Sequence, residues 1–363
     1  MNPPVHQLLA ALSPGDAIGN EALAIQRHLR SEGFESDIFA EMVHPRLAHK
    51  ARPLWEYARV SSAKNVCLFH FSIGSAAGPL IFHAPDRLVL IYHNITPARF
   101  FLGFHKELTR LCHEGRRELA AFAPRAELAL GDSEFNRREL EAAGFERTGV
   151  LPVAVDLGGF SHKPRAPVVT HLYRDGRTNI LFVGRIIPNK GVHDLIGAFA
   201  LYQRHFDRQS RLLLVGDSRG HERYLRRLQE MVEDLHVSEV VFAGHVDEDD
   251  LGSYYSLADL YLCLSAHEGF CVPLLEAMSF GIPVVAYAAG AVPETLGGEG
   301  ILLEDKDPAA VAEVLDRLRH DPSLRDRVKA GQERRLEAFV RGGAPKALLE
   351  RLGPLIYQKA ARP

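Results

Sequence analysis

Four things are missing from this sequence, and each absence removes a class of function. The four cysteines, Cys67, Cys112, Cys263 and Cys271, form no CxxC pair. With Cys67 and Cys263 inside apolar runs, they read as small core hydrophobes, not as a metal or redox centre. Eighteen histidines make neither HxxxH nor HExxH, so no metal-ligand spacing appears and no metal is expected. Lys and Arg number 43 against 46 Asp and Glu, a net charge of -3, which gives no footprint for nucleic acid. No apolar run approaches the roughly 18 residues of a membrane span. The start, MNPPVHQLLAALSPGDAIG, lacks a basic region and carries only the short run Leu8 to Leu12. A cytoplasmic protein is expected, at most peripheral on the inner face of the membrane.

What is present is a long alternation. At 363 residues and 46% hydrophobic composition the chain exceeds one ordinary core and suits two domains, with a cleft implied. Short apolar runs alternate with stretches of helical period, the pattern of parallel α/β units. In the first half the strand candidates are Val5 to Leu12, Ser36 to Glu41, Asn65 to Phe71, Leu88 to His93, Ala126 to Gly131 and Thr148 to Val153. Helices are expected over Asn20 to Ser31, near Glu107 to Phe122, and over Ser133 to Ala143 with Ser133 as N-cap. The second series reads NILFVG at Asn179, RLLLVG at Arg211, EVVFAG at Glu239, DLYLCLS at Asp259, IPVVAY at Ile282 and GILLE at Gly300. The division predicted is a Rossmann-like domain over 1–160, a linker over 161–178 and a second Rossmann-like domain over 179–335. A C-terminal helix over 336–363 would return toward the first domain. In doubly wound sheets ligands lie beyond the carboxyl ends of strands, so the loops after Gly184, Gly216, Gly244 and Ser265 are the places to look for chemistry.

The loop Gly184-Arg185-Ile186-Ile187-Pro188-Asn189-Lys190-Gly191 places two cations between a strand and a helix. A guanidinium fork, an ammonium and free helix N–H groups suit a diphosphate, though two solvated loop cations are the plain alternative. Fixed cations there would stabilise a departing nucleoside diphosphate without a metal. In Ser265-Ala266-His267-Glu268-Gly269-Phe270-Cys271-Val272-Pro273-Leu274-Leu275-Glu276, Pro273 marks a first helical turn. Glu268 then lies in the loop, able to accept from sugar hydroxyls. Glu276 lies on that first turn, where a ribose diol or simple dipole-favoured capping would each explain it.

This segment resembles the E-x7-E signature of glycosyltransferase family 4, retaining enzymes of the GT-B fold, and the Gly184-Arg185 and Lys190-Gly191 pairs are similar to that family's phosphate loop. The runs Gly15-Asp16-Ala17-Ile18-Gly19-Asn20, Phe69-His70-Phe71-Ser72-Ile73-Gly74, Tyr92-His93-Asn94-Ile95-Thr96-Pro97 and Asp132-Ser133-Glu134-Phe135-Asn136 resemble one bacterial branch of it. The resemblance implies two doubly wound domains facing a cleft, the first binding the acceptor and the second the nucleotide-sugar, and transfer of a hexose, with retention, from a UDP- or GDP-sugar. It implies that Arg185 and Lys190 bind donor phosphates, Glu276 the ribose and Glu268 the sugar. Gly269, Phe270 and Cys271 would present backbone amides, and His245 and Val246, after Gly244, would read the base. His93 would close over the transferred sugar; a satisfied structural histidine is the alternative. Glycine is frequent in the branch where Cys271 stands.

Gly19 would either let backbone N–H groups approach the donor or simply permit a turn before the helix. Asp16, Asn94 and Phe100 are acceptor-side candidates. Phe100 belongs to Pro97 to Lys106, a stretch of aromatics and cations that would meet a lipid-linked acceptor or else pack the N-terminal core. No side-chain nucleophile stands in these motifs. That favours a front-face mechanism in which the leaving phosphate takes the acceptor proton, in polysaccharide or glycoconjugate assembly. A GT-B epimerase and a non-catalytic nucleotide-sugar-binding protein are the rival readings.

Overall fold

The computed structural model describes residues 2–155, 157–161, 166–342 and 344–356. The chain divides into two compact units, one of Met1–Ala98, Glu107–Val155 and Gly342–Pro363, the other of Arg99–Lys106 and Asp156–Arg341.

The first unit carries β1 (Val5–Leu12), β2 (Ile38–Val43), β3 (Arg52–Pro53), β4 (Val66–Phe71), β5 (Arg87–Tyr92), β6 (Leu128–Gly131) and β7 (Thr148–Val150). They pair parallel in the order β3-β2-β1-β4-β5-β6-β7. β4 is buried at every position, as a central strand covered on both faces must be, and this is why it reads as a continuous apolar run. β3 is a two-residue edge strand ending in proline, too short to leave a pattern. The first helix begins at Ala17, not Asn20, because the Asp16 carboxylate caps it by accepting from the Gly19 N–H at 2.9 Å. Ser133 caps Glu134–Ala142 as expected. Helix Ala344–Ile356 contributes Leu348, Leu352 and Leu355 to the core formed by Val5, Ile25, Leu29, Val66 and Ile91. At about 1.5–3 kcal/mol per fully buried leucine, this helix is part of what holds the first unit together. Of the C-terminal stretch expected over 336–363, positions 343 and 357–363 lie outside the described residues, and 336–342 end the preceding helix Pro322–Gly342.

The second unit carries β8 (Thr178–Val183), β9 (Ser210–Val215), β10 (Val240–Gly244), β11 (Leu260–Cys263), β12 (Val284–Tyr287) and β13 (Ile301–Leu303), all parallel in the order β10-β9-β8-β11-β12-β13. Of the expected linker, 162–165 lie outside the described residues. Pro167–Tyr173 is a helix started by its proline, with Tyr173 packed on Tyr254 at 5.8 Å between ring centroids. The stretch Arg99–Lys106 belongs to this unit although the chain on both sides of it does not. Phe101 is buried beside His221, and Phe104 meets Tyr224 edge-on at 5.3 Å. Those phenylalanines therefore do not pack the N-terminal core. Among the described residues no helix is long and apolar enough to cross a membrane.

Candidate active site

Strand order brings the two sequence motifs of the second unit together. β8 and β11 are neighbours at the point where the order reverses, so the loops leaving their carboxyl ends lie side by side. The Ala266 N–H donates to the Asn189 carbonyl at 2.8 Å, tying one loop to the other. Across that seam Lys190 Nζ reaches both oxygens of Glu268 at 2.8 Å. Burial opposes the charge on Lys190, but the Glu268 carboxylate outweighs it and holds the ammonium pKa above its ordinary value. Glycine is required at two points of this bed. Gly191 has φ +62°, and a Cβ there would fall 2.2 Å from the Leu264 carbonyl oxygen; Gly290, at φ +57°, would meet the Glu268 carbonyl oxygen at the same distance.

Arg185 is exposed, and among the described residues no ion pair or hydrogen bond engages its guanidinium. It is thus a cation held ready beside a paired one. Cys271 has φ +75° and ψ 62°, the left-handed region, as the cap of helix Val272–Ser279. Backbone in that region is the physical reason glycine suits the position. Phe270 is buried, its carbonyl accepting from Thr295 Oγ1, and Gly269 is half-buried. Glu276 is the fifth residue of the helix and not on its first turn, which removes the capping explanation, since dipole effects fade beyond one turn. Burial raises its pKa to about 7, against the Tyr255 hydroxyl, which donates to it at 2.7 Å. His245 is exposed and Val246 half-buried just beyond β10, whose Gly244 carbonyl accepts from the Gly216 N–H. Half-buried Phe100 lies 6.2 Å from the His267 ring, in the second unit.

The first unit holds a different cluster. Gln7 donates through Nε2 to the Ala22 carbonyl at 3.0 Å, so its Oε1 is left to accept from His70 Nε2–H at 2.9 Å. His70 is buried and its pKa lowered by that burial and by His93, so it is neutral and its Nδ1 accepts from His93 Nε2–H at 2.9 Å. His93 Nδ1 then faces Asp132 at 3.1 Å and Glu21 at 3.6 Å. Burial pulls the His93 pKa down, but Asp132, Glu21 and Asp16 outweigh it and raise it to about 9. Glu21 is raised by burial, which His93 partly offsets. Both ring nitrogens of His93 are engaged; closing over a sugar would require one of them to exchange its partner.

Gly19 lies inside the first helix, where a Cβ would press on Leu12 at 3.0 Å, so it is not a turn residue before the helix. Asn94 adopts φ +66° and donates to Asn136 at 2.9 Å and Glu139 at 2.9 Å. The sequence assigns no role to Glu21, Asp132, His70 or Tyr255, although His70 and Asp132 stand in two of the runs that resemble the family branch. Glu21 did leave a signal, a carboxylate in phase with Ile25 and Leu29 on the buried face of its helix.

Residues 170–335 match the family model of glycosyl transferases group 1. That segment contains Arg185, Lys190, Glu268 and Glu276. The chain is 33% identical over 236 residues to a D-inositol 3-phosphate glycosyltransferase of Frankia alni, covering 62% of this chain. It spans 57% of that relative's length. Among solved structures, a sucrose-phosphate synthase from Thermosynechococcus elongatus superposes with TM-score 0.77 at 18% identity, over 98% of this chain and 99% of the other. The HepE protein of Anabaena, in complex with UDP and glucose, gives TM-score 0.74 at 21% identity over 97% and 99%. These likenesses show the fold: two Rossmann-like α/β domains of the GT-B type.

Proposed function

We propose that this protein is a retaining hexosyltransferase of glycosyltransferase family 4. The donor is a UDP- or GDP-sugar held by the C-terminal domain, the acceptor a glycan, lipid-linked or small molecule, in polysaccharide or glycoconjugate assembly. The observation that carries the reading is the Lys190–Glu268 pair at the reversal of strand order, beside the unengaged Arg185. A diphosphate entering there gains Arg185 outright and takes a share of Lys190 from Glu268. Glu268, so relieved, turns an oxygen to a sugar hydroxyl. As the glycosidic bond breaks, negative charge grows on the phosphate that the two cations face, and positive charge grows on the sugar that Glu268 faces. Both changes strengthen contacts already in place, which is what lowers a barrier. Glu276, held by Tyr255, takes the ribose diol; the backbone from Gly269 to Cys271 lines the sugar, and the segment of His245 and Val246 reads the base. His93 contacts the transferred sugar, with Asp16, Asn94 and Phe100 on the acceptor side. The phosphate takes the acceptor proton, and Arg185 and Lys190 meet its growing charge without a metal.

The test begins with a thermal-shift screen of UDP- and GDP-hexoses, since a donor at 100 times its Kd stabilises by about 2.7 kcal/mol. Transfer from the donor so found is then followed by NMR of the anomeric proton, with and without EDTA. An inverted product overturns retention, loss of activity in EDTA overturns the metal-free step, and isomerised donor without acceptor overturns transfer itself.

A further inference from the structure

Cys263 ends β11 and Cys271 caps the next helix. No CxxC spacing announces them, yet the fold sets their sulfurs 4.0 Å apart. A carboxylate oxygen of Glu268 joins them, all three ligand atoms lying within 4.8 Å of one another. The cluster is buried but not sealed, with Cys271 8% and Glu268 6% exposed.

Two thiols at this spacing suit a metal better than a bond to each other. A disulfide has sulfurs about 2.0 Å apart, so oxidation would need a closure of about 2 Å between a strand end and a helix cap. A tetrahedral zinc with Zn–S of about 2.3 Å holds its sulfurs about 3.8 Å apart, within a few tenths of the distance found. Charge also closes. Two thiolates and one carboxylate carry three negative charges, and a divalent cation with the Lys190 ammonium carries three positive ones. Glu268 can give one oxygen to the metal and keep the other on Lys190, because a carboxylate has about four acceptor positions. The left-handed backbone of Cys271 favours glycine, so a thiol stands there against the preference of its backbone.

We propose that Cys263, Cys271 and Glu268 form a site for a thiophilic divalent cation, with zinc as its physiological occupant, and that occupancy withdraws Glu268 from the donor sugar and stops transfer. Binding is an exchange without redox change: both thiols release their protons, two metal–sulfur bonds and one metal–oxygen bond to Glu268 form as waters leave the hydrated cation, and the fourth position keeps a water. The inhibitory half rests on the hexosyltransferase reading; the binding half does not.

The full chain, freed of metal with a chelator, is titrated with Cd²⁺ while thiolate-to-metal charge-transfer absorption is recorded, and Zn²⁺ is then used to displace it. One equivalent should bind with release of about two protons. Since loss of a mere outer-shell partner weakens metal sites about 10–100-fold, Cys263→Ala and Cys271→Gly should each lose at least about 100-fold in affinity. Cys112→Ala, away from the cluster, should bind as the parent does. Absorption that is absent, or that survives in Cys263→Ala, overturns the site. Should Cys263→Ala fail to fold, Cys271→Gly carries the test, its backbone being suited to glycine. In the transfer assay Zn²⁺ should inhibit the parent over the range in which it displaces Cd²⁺, and Cys263→Ala should resist it. Binding without inhibition overturns the switch, and equal inhibition of Cys263→Ala overturns it too. No turnover by the zinc-free parent counts against the transferase reading and leaves the binding result standing.

Discussion

Each unit buries charge at the carboxyl ends of its parallel strands, but the two clusters are balanced differently. Lys190 and Glu268 are one cation and one carboxylate, joined through both oxygens, with Lys190 still 22% exposed. Around His93 one cation faces two carboxyls, His93, Glu21 and Asp132 are all nearly inaccessible, and among the described residues Glu21 Oε1 and Asp132 Oδ1 have no hydrogen-bond partner. The first cluster can trade partners with an incoming anion at little cost, since everything it gives up a phosphate or hydroxyl can replace. The second cannot trade freely: removing its cation leaves the Asp132 carboxylate buried in low dielectric with no opposite charge beside it. One is therefore suited to exchanging partners during turnover, and the other to holding a protonated His93 in place.

The comparison is broken most forcefully at His93. His93→Ala strands the buried Asp132 carboxylate without its cation, and by the usual penalty for breaking a buried pair should destabilise the first unit by about 3–5 kcal/mol in urea unfolding at neutral pH. His93 and Glu21 both have raised pKa values, so the native state binds more protons than the unfolded one. The stability they contribute is complete below their ordinary values and is lost as pH rises, for His93 from 6.5 through about 9. The parent's urea midpoint should fall across that window, and the fall should be shallower in His93→Ala. An unchanged midpoint in the variant would mean that the cluster is not charged as described.

Glu268→Gln comes next. It should lower kcat by roughly 100-fold, about 2.7 kcal/mol, the worth of one charge-assisted contact strengthened in the transition state. Because it frees Lys190, affinity for the nucleoside diphosphate should be retained or raised. Weaker nucleotide binding by calorimetry with kcat intact would remove Glu268 from the sugar.

Arg185→Ala should weaken nucleoside-diphosphate binding about 10-fold, for the loss of charged hydrogen bonds worth about 1.5 kcal/mol. Its melting temperature without ligand should not move, since the side chain is exposed. The smallest effect expected is at Glu276. An ionised carboxylate accepts from both ribose hydroxyls, so nucleotide affinity should improve as pH rises through about 7, and that dependence should disappear in Glu276→Gln.

How much of this could be read from sequence follows from the range of the interactions. Runs such as RLLLVG and DLYLCLS disclose strands because both faces of the sheet are covered, and all six strands expected in the first half lie within three residues of the observed ones, while the short β3 is added. β7 stops at Val150 where Val153 was expected. The helix start at Ala17 was misplaced because Asp16 acts as the cap through a side-chain contact three residues on. Lys190 and Glu268 were each singled out, but their direct pairing depends on β8 and β11 being neighbours over 78 positions of chain. His70, His93 and Asp132 each stand in a legible run, but their meeting as a relay depends on three strand ends brought together by the sheet order. The meeting of Cys263 with Cys271, eight residues apart, left no local pattern.

The stretch Arg99–Lys106 has a consequence for how the molecule can be taken apart. With the return at Gly342, it makes the chain change unit four times. A fragment beginning after Val155 would contain every strand of the second sheet and still lack Phe101 and Phe104, leaving His221 and Tyr224 uncovered. A fragment ending there would lack Leu348, Leu352 and Leu355. Neither half is a portable module. Recombination or splitting of this protein should succeed only where the short insert travels with the second unit and the last helix with the first.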